Sequence, residues 1–180
     1  MFQPINQILA FSVASVFLIL SGMSQSAIAL EVGDKAPDFN LPASDGNTYT
    51  LSQFQNEKPV VIAFFPKAFT SGWTIECKSL RDSGKEINQF DVAYFMASID
   101  SVEDNTGFAK KNGANFPILS DTSKETVIAY GALHERGFAS RWTYYIDAEG
   151  IVIKIDKDVN PATSGASLAQ NLEELNFPKK

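Results

Sequence analysis

Residues 59–82 read PVVIAFFPKAFTSGWTIECKSLRD, and the pattern changes completely along that stretch. A continuous apolar run, residues 59–65, is bounded by Pro59 and Pro66. Unbroken hydrophobicity of that length marks a central strand covered on both faces. After a short polar break, Trp73, Cys77, Leu80, Gly84 and Ile87 recur at spacings of four, three, four and three. That places them on one helical stripe and predicts a helix over residues 74–89.

Working outward, VAYFMASI at residues 92–99 is a second buried strand. Strand, helix, strand in that order implies a right-handed crossover with parallel pairing. A helix is expected over residues 102–111, followed by a short strand and turn in FPILSD. Thr122 and Glu125 have the spacing of a capping box for a helix in KETVIAY, which Gly131 ends. RWTYYID and IVIKID flank a turn carrying Gly150 and form an antiparallel hairpin. Leu168, Leu172 and Leu175 give a terminal helix its apolar stripe, and Asp45-Gly46 turns an N-terminal hairpin. The element order is that of an α/β, thioredoxin-like sandwich: a central mixed sheet with helices on both faces and an N-terminal hairpin.

The chain has 180 residues, 44% hydrophobic and 20% charged, which suits one compact domain. Net charge is −6 and the isoelectric point is near 4.8, so there is no basic footprint for nucleic acid or an anionic membrane. Residues 1–29 contain no Asp, Glu, Lys, Arg or His. An apolar run over residues 8–20 precedes Ala27-Ile28-Ala29, which reads as a cleaved signal peptide, although no Lys or Arg precedes the run. The expected division is therefore a signal at 1–29 and a folded domain at 30–180. The protein would be exported to a periplasm, lumen or the exterior after cleavage near Ala29–Leu30, touching the membrane only through that segment. The alternative is an uncleaved anchor. With one cysteine, Cys77, no internal disulfide can form. His134 has neither a second His nor a Cys nearby, so the expectation is no metal and no cofactor.

GDKAPDF, FFPKAFTSGW, SLRD, FPILSD, AYGA and RWTYYIDAEG, in that order and spacing, resemble the peroxiredoxins of the alkyl hydroperoxide reductase and thiol-specific antioxidant group. The nearest subgroup is the Q type, or bacterioferritin comigratory protein. The resemblance implies thioredoxin-dependent reduction of hydrogen peroxide or alkyl hydroperoxides. It also implies a peroxide substrate, a thioredoxin-type reductant and surfaces that allow a homodimer. The family motif P-x-x-x-T-x-x-C falls on Pro66, Thr70 and Trp73, so a tryptophan stands at the peroxidatic position. By resemblance Pro66 shields the pocket, Thr70 hydrogen-bonds the thiolate and the peroxide, and Arg141 lowers the thiol pKa and stabilises the developing oxyanion.

An indole neither ionises near neutrality nor attacks an O–O bond. Cys77 lies four residues on, about 6 Å deeper along the helix, where the terminal dipole has faded. It resembles a resolving cysteine without its partner, and burial there would raise its pKa. Singly, Thr70 reads as a helix cap and Arg141 as a packed or cation–π arginine beside Trp142. Together at the family's spacing they point to a retained pocket. Two functions follow: an antioxidant peroxidase whose normal nucleophile is replaced, or a non-catalytic binding or scaffold protein, a pseudoenzyme, on the same fold.

Overall fold

The computed structural model describes residues 30–180; the expected signal segment lies outside them. A hairpin of β1 (Asn40–Pro42) and β2 (Thr48–Thr50) opens the fold, turning at Gly46 with φ 85°. The main sheet consists of β3 (Val60–Phe64), β4 (Ala93–Ser98), β5 (Ile118–Ser120), β6 (Thr143–Ile146) and β7 (Val152–Asp156). Their order is β5-β4-β3-β6-β7. β3 runs parallel to β4 and antiparallel to β6, so it is the central strand where the two pairing modes meet.

All five residues of β3 are buried, as the continuous apolar run requires. Its alternate side chains serve two cores. Val61 and Ala63, with Phe65 beyond the strand, face α1 (Ser71–Asp82), α2 (Gly84–Ile87), α3 (Val102–Asn112) and α5 (Ser164–Glu174). Val60, Ile62 and Phe64 face the N-terminal hairpin and α4 (Glu125–Ala129). The sandwich expected from element order is thus observed, with four helices on one face and α4 on the other. Among the described residues no helix is long and apolar enough to cross a membrane.

Three local expectations change. The helix predicted over 74–89 begins at Ser71, breaks at Ser83 and resumes as the short α2. Gly84 at the break packs so closely on Asn115 that an added Cβ would meet its Nδ2. The capping box of Thr122 and Glu125 does not form. The N-cap of α4 is Lys124, in the left-handed region at φ 67°, without a side-chain cap. Asp121 does that work instead, accepting the Val127 amide at 2.7 Å. Finally, Trp142 takes its cation from Lys157, 4.3 Å from the ring centroid, while Arg141 is engaged elsewhere.

Candidate active site

The site lies where the chain leaves β3 and enters α1. Pro66 is half-buried, and the Ala68 amide donates to Asp100 Oδ2 at 2.7 Å, pinning the connecting loop. Phe69 turns the chain with φ 59°, a conformation non-glycine residues adopt at a cost. Thr70 is the N-cap, extended at φ −89° and ψ 157°. Its hydroxyl donates back to Lys67 O at 3.0 Å instead of capping, and its carbonyl accepts from both the amide and the hydroxyl of Thr74 at 3.0 Å. The first turn of α1 therefore carries no side-chain cap and no acidic residue. Its unpaired amides and the helix dipole form a positive-ended cradle open to an anion or a developing oxyanion.

Arg141 reaches the same turn from the strand next door. The Phe64 amide donates to Trp142 O at 2.9 Å, extending the β3–β6 ladder toward Arg141. The guanidinium lies over Gly72, where an added Cβ would stand 3.4 Å from Nη2. Its Nη1 forms an ion pair with Glu76 Oε2, and the Glu76 side chain is only 2% exposed. Burial pulls the Arg141 pKa below its usual value, yet a guanidinium remains charged throughout the working pH range.

Glu76 was not singled out by the sequence reading. The available signal was its i+3 spacing from Trp73, which places it on the inner side of the first two turns. It also lines a cavity of about 210 Å³ bounded by Thr143 and Tyr145 of β6 and by Ser164 and Leu168 of α5. Among the described residues no group of three or more His, Cys, Asp or Glu side chains gathers to hold a metal ion.

Trp73 points away from this polar mouth. It is fully buried, stacked on Phe65 at 3.4 Å between centroids and 6° between planes, and on Phe108 of α3 at 5.2 Å and 22°. Phe69 meets the far side of Phe108 edge-on at 5.5 Å. The indole N–H has no acceptor. A dry unsatisfied donor costs about 1–3 kcal/mol, which the stacking must exceed.

Cys77 sits one turn further along the same stripe, without exposed surface. Burial pushes its thiol up to about 11, with a smaller opposing influence from Arg81 and Lys78. The Tyr94 hydroxyl, itself buried and without a partner, is raised by burial and by the neighbouring Cys77 and Tyr145. The structure thus brings Thr70, Arg141 and the start of α1 together and leaves Cys77 behind them in the core. His134 lies in a loop, stacked on Phe138.

Residues 32–155 match the AhpC/TSA family. The chain is 34% identical over 136 residues to Peroxiredoxin Bcp of Escherichia coli, covering 72% of this chain and 86% of that one. It is 35% identical over 126 residues to Alkyl hydroperoxide reductase E of Mycobacterium bovis, covering 68% and 82%. Among solved structures it is similar to the bacterioferritin comigratory protein of Xanthomonas campestris, with TM-score 0.73, 25% identity and coverage of 81% and 97%. A PrxQ mutant from Xylella fastidiosa shares the fold at TM-score 0.77, with 22% identity and coverage of 83% and 99%.

Proposed function

The chain belongs to the AhpC/TSA family and is a peroxiredoxin of the Q or Bcp type, and from that premise we propose how its own site works. The family's activity is thiol-dependent peroxide reduction with a thioredoxin-type reductant. A thiolate attacks one peroxide oxygen and the O–O bond breaks; the sulfur becomes a sulfenic acid, and the other oxygen departs as hydroxide or alkoxide, which takes up a proton to become water or an alcohol. Here the groups that would receive the peroxide are the Thr70 hydroxyl, the Arg141 guanidinium and the free amides of α1. The residue that should attack is Trp73, which cannot. One observation carries this reading: the indole is sealed between Phe65 and Phe108 at the position where the motif requires a thiolate.

Cys77 is then the chain's one sulfur nucleophile. With its pKa at about 11, only on the order of one molecule in ten thousand carries the thiolate at pH 7. The pocket is retained and its ordinary catalytic step is blocked. The proposal includes export, supported by the apolar run over residues 8–20 and by Ala27-Ile28-Ala29. Intact-mass analysis of the exported protein should find a chain beginning near Leu30; retention of residues 1–29 would overturn that part.

The central test is peroxide consumption with a thioredoxin system. The wild type should react little faster than an unactivated thiol, and Trp73→Cys should gain orders of magnitude. Trp73→Cys combined with Arg141→Ala should lose most of that gain. A fast wild type that dies on Cys77→Ser would instead make Cys77 a displaced nucleophile. A correctly folded but inert Trp73→Cys would mean that the pocket no longer supports the chemistry.

A further inference from the structure

The face of the sheet beneath α1 and α5 carries a short polar row. Strand register aligns Ala63 of β3 with Thr143 of β6, and Thr143 with Asp156 of β7. Cross-strand partners share a face, so a small side chain, a hydroxyl and a carboxylate stand side by side. All three line the cavity of about 210 Å³ that Glu76 also borders. In the next row, Tyr145 is aligned with Lys154, whose ammonium donates to Asn171 Oδ1 and lies 6.0 Å from the Tyr145 ring centroid. That lysine is engaged outside the cavity, and no Lys or Arg side chain lines it.

Three carboxylates border this space, those of Glu76, Asp156 and Asp158, and Arg141 balances only the first. Asp156 Oδ1 accepts the Asp158 amide at 3.1 Å, which fixes the carboxylate and leaves Oδ2 available. A second observation is independent of charge. Thr143 is only 5% exposed, and its hydroxyl enters no hydrogen bond among the described residues. A buried hydroxyl without a partner is costly, and the cavity is where a partner can come from. We propose that this cavity binds a compact primary ammonium compound, whose N–H groups are taken up by Thr143 Oγ1 and by the Asp156 and Glu76 carboxylates.

The chemistry of the wall selects this class of ligand, independently of any peroxide reaction. An ammonium carries three donors and a positive charge, which match single acceptors spread around a negative cavity. A bare metal ion is poorly served, because no three acidic side chains converge among the described residues. An anion would meet two uncompensated carboxylates. The space exceeds what one water needs, so a ligand of several non-hydrogen atoms fits. The site is also preformed. Ser79 Oγ donates to Ala162 O and accepts from the Gly165 amide, each at 3.1 Å, which pins the segment between β7 and α5 to α1. A Cβ added at Gly165 would collide with the Ser79 carbonyl, so the two helices meet there backbone to backbone.

The test is titration of the folded protein with ethanolamine hydrochloride at pH 7, against potassium chloride at equal ionic strength, followed by amide NMR shifts. Amides of residues 143, 156, 163 and 164 should shift together and saturate with a Kd of about 1 mM, as befits so small a ligand. Asp156→Asn removes the charge and should weaken binding about tenfold. Thr143→Val removes the hydroxyl at nearly constant volume and should weaken it about threefold to tenfold. If Thr143→Val does not fold, the half-exposed Asp156 carries the test alone. Asp91→Asn, which alters a carboxylate paired with Lys58 outside the cavity, should leave the affinity within about twofold. Ethylene glycol, the neutral counterpart of the probe, should produce no saturable shift. The proposal is overturned if ethanolamine fails to saturate these amides, or if ethylene glycol or potassium ion saturates them equally. Unchanged affinity in Asp156→Asn would overturn it too.

Discussion

The mouth of the site and its floor belong to the same helical turn and have opposite characters. At the mouth, Thr70 is exposed, the α1 amides are free and Arg141 keeps a guanidinium over Gly72. At the floor, two aromatic rings, Phe65 and Phe108, enclose an indole with no hydrogen-bond partner. The lesson is that the setting for an anion comes from backbone, strand pairing and a neighbouring cation. None of these depends on the side chain at position 73, so that side chain can change without dismantling them.

The largest expected effect would break this separation outright. Trp73→Cys should raise peroxide consumption by orders of magnitude only if mouth and floor are independent, and adding Arg141→Ala should remove about 10²–10³-fold of that rate. Next comes stability. Trp73→Ala deletes a fully buried indole and should cost about 3–5 kcal/mol in urea unfolding, with Phe65 and Phe108 left facing a void. A loss under 1 kcal/mol would mean that the floor is not packed as described.

At the mouth, Glu76→Ala leaves Arg141 without its partner, and the cost should reach about 3 kcal/mol, reduced because Arg141 retains some exposure. Gly165→Ala forces α5 off α1 and should cost about 1–3 kcal/mol while leaving Arg141 and Thr70 untouched.

The smallest effect concerns pH. The Cys77 thiol titrates at about 11 when folded, against 9.0 for the unperturbed group, so the unfolded chain loses its proton first. Stability from this residue is fully present below pH 9 and is lost as pH rises from 9 toward 11, by up to about 2–3 kcal/mol in all. The buried Tyr130, Tyr144 and Tyr145 act in the same direction from about pH 10, since burial raises each of them. The clean comparison is therefore wild type against Cys77→Ala between pH 8 and pH 10, by urea midpoint. Parallel curves would contradict a buried, protonated thiol.

Much of this was readable before any coordinates. β3 and β4 announce themselves because strands covered on both faces need unbroken apolar runs. The stripe through Trp73, Cys77 and Leu80 gave the inner face of α1 correctly. The start of α1 was placed three residues late because Ser71 and Gly72 are weak helix formers and Thr70 caps without its hydroxyl. The capping box failed because Lys124 adopts a left-handed conformation that no local pattern signals. For the candidate site, Thr70, Pro66, Trp73 and Arg141 were nominated by family spacing. Glu76, Phe65 and Phe108 were not, because their roles arise only when separate segments meet.

The ion pair of Glu76 with Arg141 also bears on the order of folding. The carboxylate and its counter-charge are separated by 65 residues of chain and come together only when β6 pairs with β3. Until then a closed α1 would enclose an uncompensated negative charge at a cost of several kcal/mol. The sheet's parallel half can form first, but its helix cannot seat fully until the later strand delivers the guanidinium. The antiparallel half of the sheet thereby supplies the counter-charge on which the seating of the parallel half's helix depends.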